Sequence, residues 1–280
     1  MEEDRRGAPV PVGPGGLPAS RTEPDGTTVV RLLSYNVRSL RDDTEALVRI
    51  VRACAPDIVC VQEAPRFFRW RKHAARLARR TDLTYVTGGA TAAGPMILAS
   101  LRAHVEHTED VLLPRTPGLH QRGLALARLR FGPASGGLPP VRIGVVSFHL
   151  GLQAAERHRQ AVALRERAAG LAEGTSGVVA AGDVNERAGG RTFRLLGQAP
   201  PEGQPGAGLR DAWASAPWGA EHTSTPREPV QRIDAVFATE GIEVLGAGVP
   251  RGLPGVSDGD LVAATDHLPV LAALRVRPGD

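Results

Sequence analysis

Lysine is almost missing from this chain: Lys72 is the only one, and every other basic residue is arginine. With Ala, Gly and Pro abundant, that bias reads as the codon usage of a GC-rich genome, so arginine number alone does not point to nucleic acid. Cysteine is equally scarce. Cys54 and Cys60 cannot build a disulfide framework or a four-thiolate zinc site. Cys60, inside Asp57-Ile58-Val59-Cys60-Val61, reads as a small buried hydrophobe. No apolar run approaches the roughly 18 residues of a membrane span. Met1-Glu2-Glu3-Asp4-Arg5-Arg6 leads into a Pro/Gly-rich stretch rather than an apolar h-region, so neither an export signal nor a membrane anchor is expected and a cytoplasmic location is. A large excess of charge is lacking too: 34 basic residues against 30 acidic ones leave +4, only mildly basic.

What remains is the make-up of a soluble globular protein, 42% hydrophobic over 280 residues, enough for a substantial core. Residues 1–27 read as a disordered Pro/Gly-rich tail without a periodic apolar face. Residues 28–280 read as one catalytic domain, expected to be a monomer. Within it, apolar patterning predicts strands near 28–33, 58–61, 83–87, 96–100, 105–113, 124–131, 141–148, 177–181, 233–238 and 268–276. Helices are expected from Asp42 or Asp43 to about 53, from Pro65 to about 80, over 153–172 and over 192–196, with loops at 133–140 and 198–208. Strands alternate with helices in some places and follow one another directly in others. That order predicts an α/β fold of two packed sheets with helices outside.

Six polar islands sit where apolar runs begin or end. They are Ser34-Tyr35-Asn36-Val37, Val61-Gln62-Glu63, Ser147-Phe148-His149-Leu150, Gly182-Asp183-Val184-Asn185, Gln231-Arg232-Ile233-Asp234 and Thr265-Asp266-His267-Leu268. Glu63 is a sensible carboxylate for a hard cation, with the Asn36 amide oxygen beside it. Taken alone, it would serve equally as the N-terminal charge of the helix expected from Pro65. Alternation puts Asp183 and Asn185 on one face of an extended segment, and Gly182 permits close backbone approach. The same tetrapeptide also makes ordinary turns. Asp234 can hydrogen-bond His267, fixing its tautomer and raising its pKa.

Read in this order, the set resembles the endonuclease/exonuclease/phosphatase family of metal-dependent phosphoesterases, the relatives of pancreatic deoxyribonuclease, abasic-site endonucleases and neutral sphingomyelinases. The resemblance implies an α/β four-layer α/β/β/α sandwich with two packed mixed β-sheets over about residues 29–277. It implies Mg2+ or Mn2+ with Glu63 as main ligand, Asn36 as its neighbour, and Asp266 binding directly or through water. Asp183 would orient or deprotonate the attacking water, and Asn185 would hold a phosphate oxygen. Asp234 and His267 would face the scissile phosphate, with the imidazole as base or phosphate contact. His149 would bind phosphate or the leaving group, and Arg122 is a further candidate phosphate contact. Two departures stand out: Ala235 replaces the usual aromatic, enlarging one wall, and Ala64-Pro65 replaces the Thr-Lys common in abasic-site endonucleases.

The expected function is therefore a divalent-metal-dependent phosphodiester hydrolase, a nuclease on DNA or RNA. The alternative keeps the chemistry and takes a lipid head group or a small phosphate ester. A non-catalytic binding module is disfavoured because Asn36, Glu63, Asp183, Asn185, Asp234 and His267 are all present. The arginine-rich stretch from Arg66 to Arg80 reads either as a nucleic-acid contact or as a solvated face. Phe67, Trp70, Ala74 and Leu77 recur at helical spacing and are expected in the core. His73, His104, His107, His120, His158 and His222 match no motif and receive no role.

Overall fold

Along the strand Thr28–Asn36, Val30 and Leu32 enter one apolar core while Leu33 and Tyr35 enter another, as strand alternation requires. A strand buried on both faces belongs in the middle of a layered structure. The computed structural model describes residues 16–132, 140–198 and 206–279. Its first half runs β1 (Arg21–Thr22), β2 (Thr28–Asn36), α1 (Thr44–Cys54), β3 (Ile58–Gln62), α2 (Trp70–Arg80), β4 (Thr84–Gly88), β5 (Met96–Ala99), β6 (His104–Leu112), β7 (Gly123–Phe131) and β8 (Val141–His149). The second half runs α3 (Ala154–Ala172), β9 (Gly177–Asp183), α4 (Arg191–Leu196), β10 (Leu209–Asp211), α5 (Ala212–Ser215), β11 (Asp234–Thr239), β12 (Ile242–Gly248), α6 (Asp258–Ala263) and β13 (Val270–Val276).

One sheet has the order β12-β13-β2-β3-β5-β4, with β1 added beside β2; the other has the order β10-β11-β9-β8-β7-β6. Each is mixed by a single parallel pair, β2 with β3 and β8 with β9. A parallel pair needs a crossover. Here α1 supplies the first and α3 the second. Three cores separate the layers. Val30, Leu32 and Ile58 meet Val145, Val179 and Val236 between the sheets. Leu47, Ile50 and Leu77 pack outside the first sheet on Leu33 and Val59. Leu164, Ala168 and Phe193 pack outside the second on Val146 and Phe237. The four-layer α/β/β/α sandwich of two mixed sheets is thus realised. Among the described residues no helix is long and apolar enough to cross a membrane.

Most expected elements form within a residue or two of their predicted bounds, and α1 is capped as expected, the Asp43 side chain accepting from Glu45 N and Ala46 N. Three expectations need correction. Residues 1–15 of the expected tail lie outside the described residues, but order begins before residue 28: Leu17 is 1% exposed in the first outer core and β1 pairs antiparallel with β2. Burial of one leucine and two added strand residues outweigh the Pro/Gly composition around them. The basic helix starts at Trp70 rather than Pro65, behind Arg69 at φ +58°. Phe67 therefore leaves the helical register and is exposed instead of joining Ala74 and Leu77 in the core. The expected loops at 133–140 and 198–208 fall largely on residues 133–139 and 199–205, which lie outside the described residues.

Candidate active site

The polar islands meet because both sheets end at one pole. In the second sheet, register sets His149 beside Asp183 across a parallel pair and Asp234 beside Asp183 across an antiparallel pair. Register partners share a face, so the three side chains form one row with Asp183 at its centre. Gly182 lets this row close up: a Cβ there would lie 2.0 Å from Phe148 O. In the first sheet Asn36 pairs with Gln62, and Glu63 follows at φ +52°. That left-handed turn is pinned by Ser39 N donating to Glu63 O and Ala64 N donating to Gly94 O. The sheets are joined beneath the site by Ser147 Oγ, which donates to Val61 O at 3.0 Å.

Asn36 bridges the two sheets. Its Nδ2 donates to Glu63 Oε1 at 3.2 Å and to Asp183 Oδ2 at 3.3 Å. The amide oxygen, expected beside Glu63, instead accepts from Arg38 N at 3.1 Å, because the chain turns back there through Arg38, Ser39 and Leu40, all at positive φ. Asn36 therefore steadies two carboxylates. Asp183 Oδ1 accepts from Asn185 N at 2.8 Å. Asn185, itself at φ +55°, donates from Nδ2 to Leu150 O and to His149 Nε2, both at 2.9 Å. On the far side, Asp234 Oδ2 lies 2.9 Å from His267 Nδ1, and His267 Nε2 faces Asp183 Oδ2 across 3.8 Å.

Electrostatics separate the two imidazoles. Burial, with cationic Arg122 nearby, holds His149 well below the usual histidine range. Its Nε2 lies 2.9 Å from Asn185 Nδ2 and 3.3 Å from Asp183 Oδ2, and its Nδ1 lies 4.0 Å from Glu63 Oε1. Burial pulls His267 down too, but the Asp234 charge, the hydrogen bond to it, and Asp183 and Asp266 outweigh burial and hold this ring at about 10. Burial, then the adjoining Asp234 charge, push the Asp183 carboxyl up to about 7 against the opposing His267.

These groups open into a cleft of about 390 Å3, lined by Glu63, His149, Asp183, Asn185 and His267 on its floor and by Arg122 on its wall. Arg41, Arg66, Phe67 and His120 also line it. His120 had no motif to recommend it; its position in the segment leading to Arg122 was the available signal. Asp266 is 47% exposed and its Oδ2 lies 3.3 Å from Arg38 Nε, so it sits at the rim, tied to the turn after Asn36.

Thr223 is another residue missed by motif reading. Wholly buried, its Oγ1 accepts from Ile233 N at 3.1 Å and Asp234 N at 3.2 Å, while its carbonyl accepts from Leu268 N at 2.7 Å. It thereby fixes the chain on both sides of the Asp234–His267 pair. Thr223→Val keeps the shape and leaves two backbone donors without their acceptor. At about 1–3 kcal/mol for an unmade buried bond, urea unfolding should show a loss of that order, with Thr223→Ser close to wild type. A valine variant as stable as wild type would show that the hydroxyl does not hold the strand start.

Comparison with known proteins bears on the family and the fold. Residues 33–267 match the Endonuclease/Exonuclease/phosphatase family. A sequence search of curated proteins finds no match. The crystal structure of an endonuclease/exonuclease/phosphatase from Bacteroides vulgatus is similar at TM-score 0.67 and 18% identity, covering 89% of this chain and 100% of that one. A mannosyl-6-phosphatase from Bacteroides thetaiotaomicron gives 0.66 and 15%, covering 88% and 99%. D. rerio TDP2, complexed with single strand DNA product, gives 0.57 and 17%, covering 88% and 98%. A match over most of the chain, on the same fold, leads to one conclusion: the chain belongs to the endonuclease/exonuclease/phosphatase family, whose members are hydrolases acting on phosphate esters.

Proposed function

We propose that this chain is a divalent-metal-dependent phosphodiester hydrolase acting on nucleic acid. The observation that carries the reading is the meeting of two sheets at Asp183, which touches Asn36 and His149 and faces His267 across 3.8 Å. That gap is too wide for a direct hydrogen bond and suits one bridging water.

The donor set fits a hard cation. Mg2+ takes one or two carboxylates and keeps several waters. Glu63 offers a partly exposed carboxylate in the cleft, steadied by Asn36, with Asp266 at the rim. Bound at Glu63, Mg2+ or Mn2+ would supply positive charge against that developing on the phosphoryl group. The remaining work falls to the chain itself. Asp183 orients the attacking water and receives its proton, while His267, held protonated by Asp234, faces that water and the developing phosphoryl charge. Asn185 locks His149, leaving that ring to contact a phosphate or leaving-group oxygen. Arg122 adds a fixed cation on the wall.

Nucleic acid is supported by arginines that continue away from the chemistry: Arg41 and Arg66 in the cleft, then exposed Arg71, Arg76 and Arg79 along α2. Each neutralised phosphate releases condensed counterion, so binding should fall steeply with salt. Purified protein with Mn2+ should therefore cleave single-stranded DNA, plasmid or RNA with a rate that drops between low and moderate salt. Hydrolysis confined to sphingomyelin or a sugar phosphate, with every nucleic acid left intact, would move the assignment to a lipid or small-ester phosphatase.

A further inference from the structure

We propose that Phe67 is a stacking platform for an unpaired base next to the scissile phosphate, so that the site takes single-stranded nucleic acid; this rests on the hydrolase reading above. Phe67 and Phe68 are 80% and 81% exposed, although Ala74, Leu77 and Ala78 of the adjoining helix are buried. Phe67 lines the cleft together with Arg66 and Arg122. Leu152, in the segment after β8, is 70% exposed and lines the same cleft. The catalytic floor is thus polar and its mouth carries apolar surface from two separate segments.

These aromatic rings are presented, not frayed. The turn that carries them is tied at its base by Ala64 N donating to Gly94 O at 3.0 Å and by Arg66 Nη1 donating to Ala93 O at 3.1 Å. It closes through Trp70 N donating to Phe67 O at 3.0 Å. Trp70 takes the place against the sheet, close enough to Gly89 that a Cβ there would lie 2.8 Å from its ring. Phe67 and Phe68 are left facing outward from an anchored loop. Large aromatics held out in this way beside a polar site mark a binding surface.

The charge around the rings selects the occupant. Arg69 lies over the Phe68 ring at 4.9 Å, Arg71 over Trp70 at 4.5 Å, and Arg66 lines the cleft beside Phe67. Guanidinium groups interrupt the apolar surface, which is poor for insertion into acyl chains. The same mixture suits a polyanion whose units each carry a flat ring, since every base has a face that can stack while cations follow the backbone. A duplex keeps its bases paired and stacked inside, so only an unpaired base can reach a ring at the cleft mouth.

The test uses a short single-stranded oligonucleotide carrying 2-aminopurine, titrated with full-length protein in excess chelator so that nothing is hydrolysed. Wild type should quench the fluorescence by stacking. Phe67→Ala should lose the quench and weaken binding ~5- to 150-fold, the range of one base–aromatic stack. Phe67→Trp should keep both, and Phe67→Leu, which keeps apolar area without a ring, should resemble the alanine variant. An alanine variant that quenches and binds like wild type would overturn the platform. So would binding to phosphatidylcholine–phosphatidylglycerol vesicles that depends on Phe67 and Phe68 while the oligonucleotide is ignored. Because no turnover is involved, the two proposals fail separately: an inert protein that still quenches refutes hydrolysis alone, and an active one that stacks without Phe67 refutes the platform alone.

Discussion

Asp183→Asn should lower turnover of a phosphodiester by at least about a hundredfold, the range for a positioned proton-transfer group, while leaving the fold at least as stable. The amide matches the carboxylate in shape, and its oxygen can still accept from Asn185 N. Its nitrogen, however, would confront Asn36 Nδ2, which now donates to Asp183 Oδ2 at 3.3 Å, and it would present N–H toward the water expected between Asp183 and His267. Both the proton acceptor and the orientation are lost. The donor–donor contact costs stability, but this carboxylate is fully buried beside Asp234 and burial pushes its pKa up to about 7, so losing the charge offsets that cost. A carboxyl whose pKa is raised on folding destabilises the fold once pH exceeds its unfolded value, and the amide removes that penalty. His267→Ala should act in the same direction, since Asp234 would keep no imidazole to orient. Turnover of a chromogenic diester and thermal unfolding of the same samples check both halves. Ordinary turnover in both variants would reduce the family resemblance to architecture.

The two sheets and most of this candidate site were legible because each of its groups lies where an apolar run that reads as a buried strand begins or ends. Val59-Cys60-Val61 delivers Gln62 and Glu63, and Val178 to Ala181 delivers Asp183, so burial and function are written in adjacent letters. What escaped reading lacked that contrast. The strand Ile242–Gly248 ends in Leu-Gly-Ala-Gly and carries a bulge after Val244, which hides its alternation. Helices α5 and α6 span four and six residues, too short to display a helical period. Order at Leu17 depends on a pocket made by residues far along the chain, Gly246 among them. Thr223 acts through backbone bonds to Ile233 and Asp234, invisible to any motif. Phe67 was misassigned for a related reason. Its spacing fits a helix, but the chain reverses at Arg69 and the helix begins one residue later.

Chelation should abolish activity, Mg2+ or Mn2+ should restore it, and Glu63→Ala should remove the response to metal altogether. Among the described residues, Glu63 is the cleft carboxylate not engaged by an arginine or packed into the row around Asp183; its Oε1 meets the Asn36 amide at 3.2 Å and His149 Nδ1 at 4.0 Å. Its side chain is 39% exposed and contributes little to any core. Truncation should therefore spare folding, since alanine tolerates the left-handed backbone at φ +52° no worse than glutamate. A ligand that binds only the folded state raises stability in proportion to the logarithm of its concentration over Kd. Metal at about a hundred times its Kd should then stabilise wild type against thermal unfolding by about 2.7 kcal/mol and leave Glu63→Ala unmoved. This readout needs no substrate, so it holds whichever ester the enzyme hydrolyses. Equal stabilisation of both proteins would take the ion away from Glu63 and toward Asp183, Asp234 and His267, whose donor atoms lie within 4.8 Å of one another.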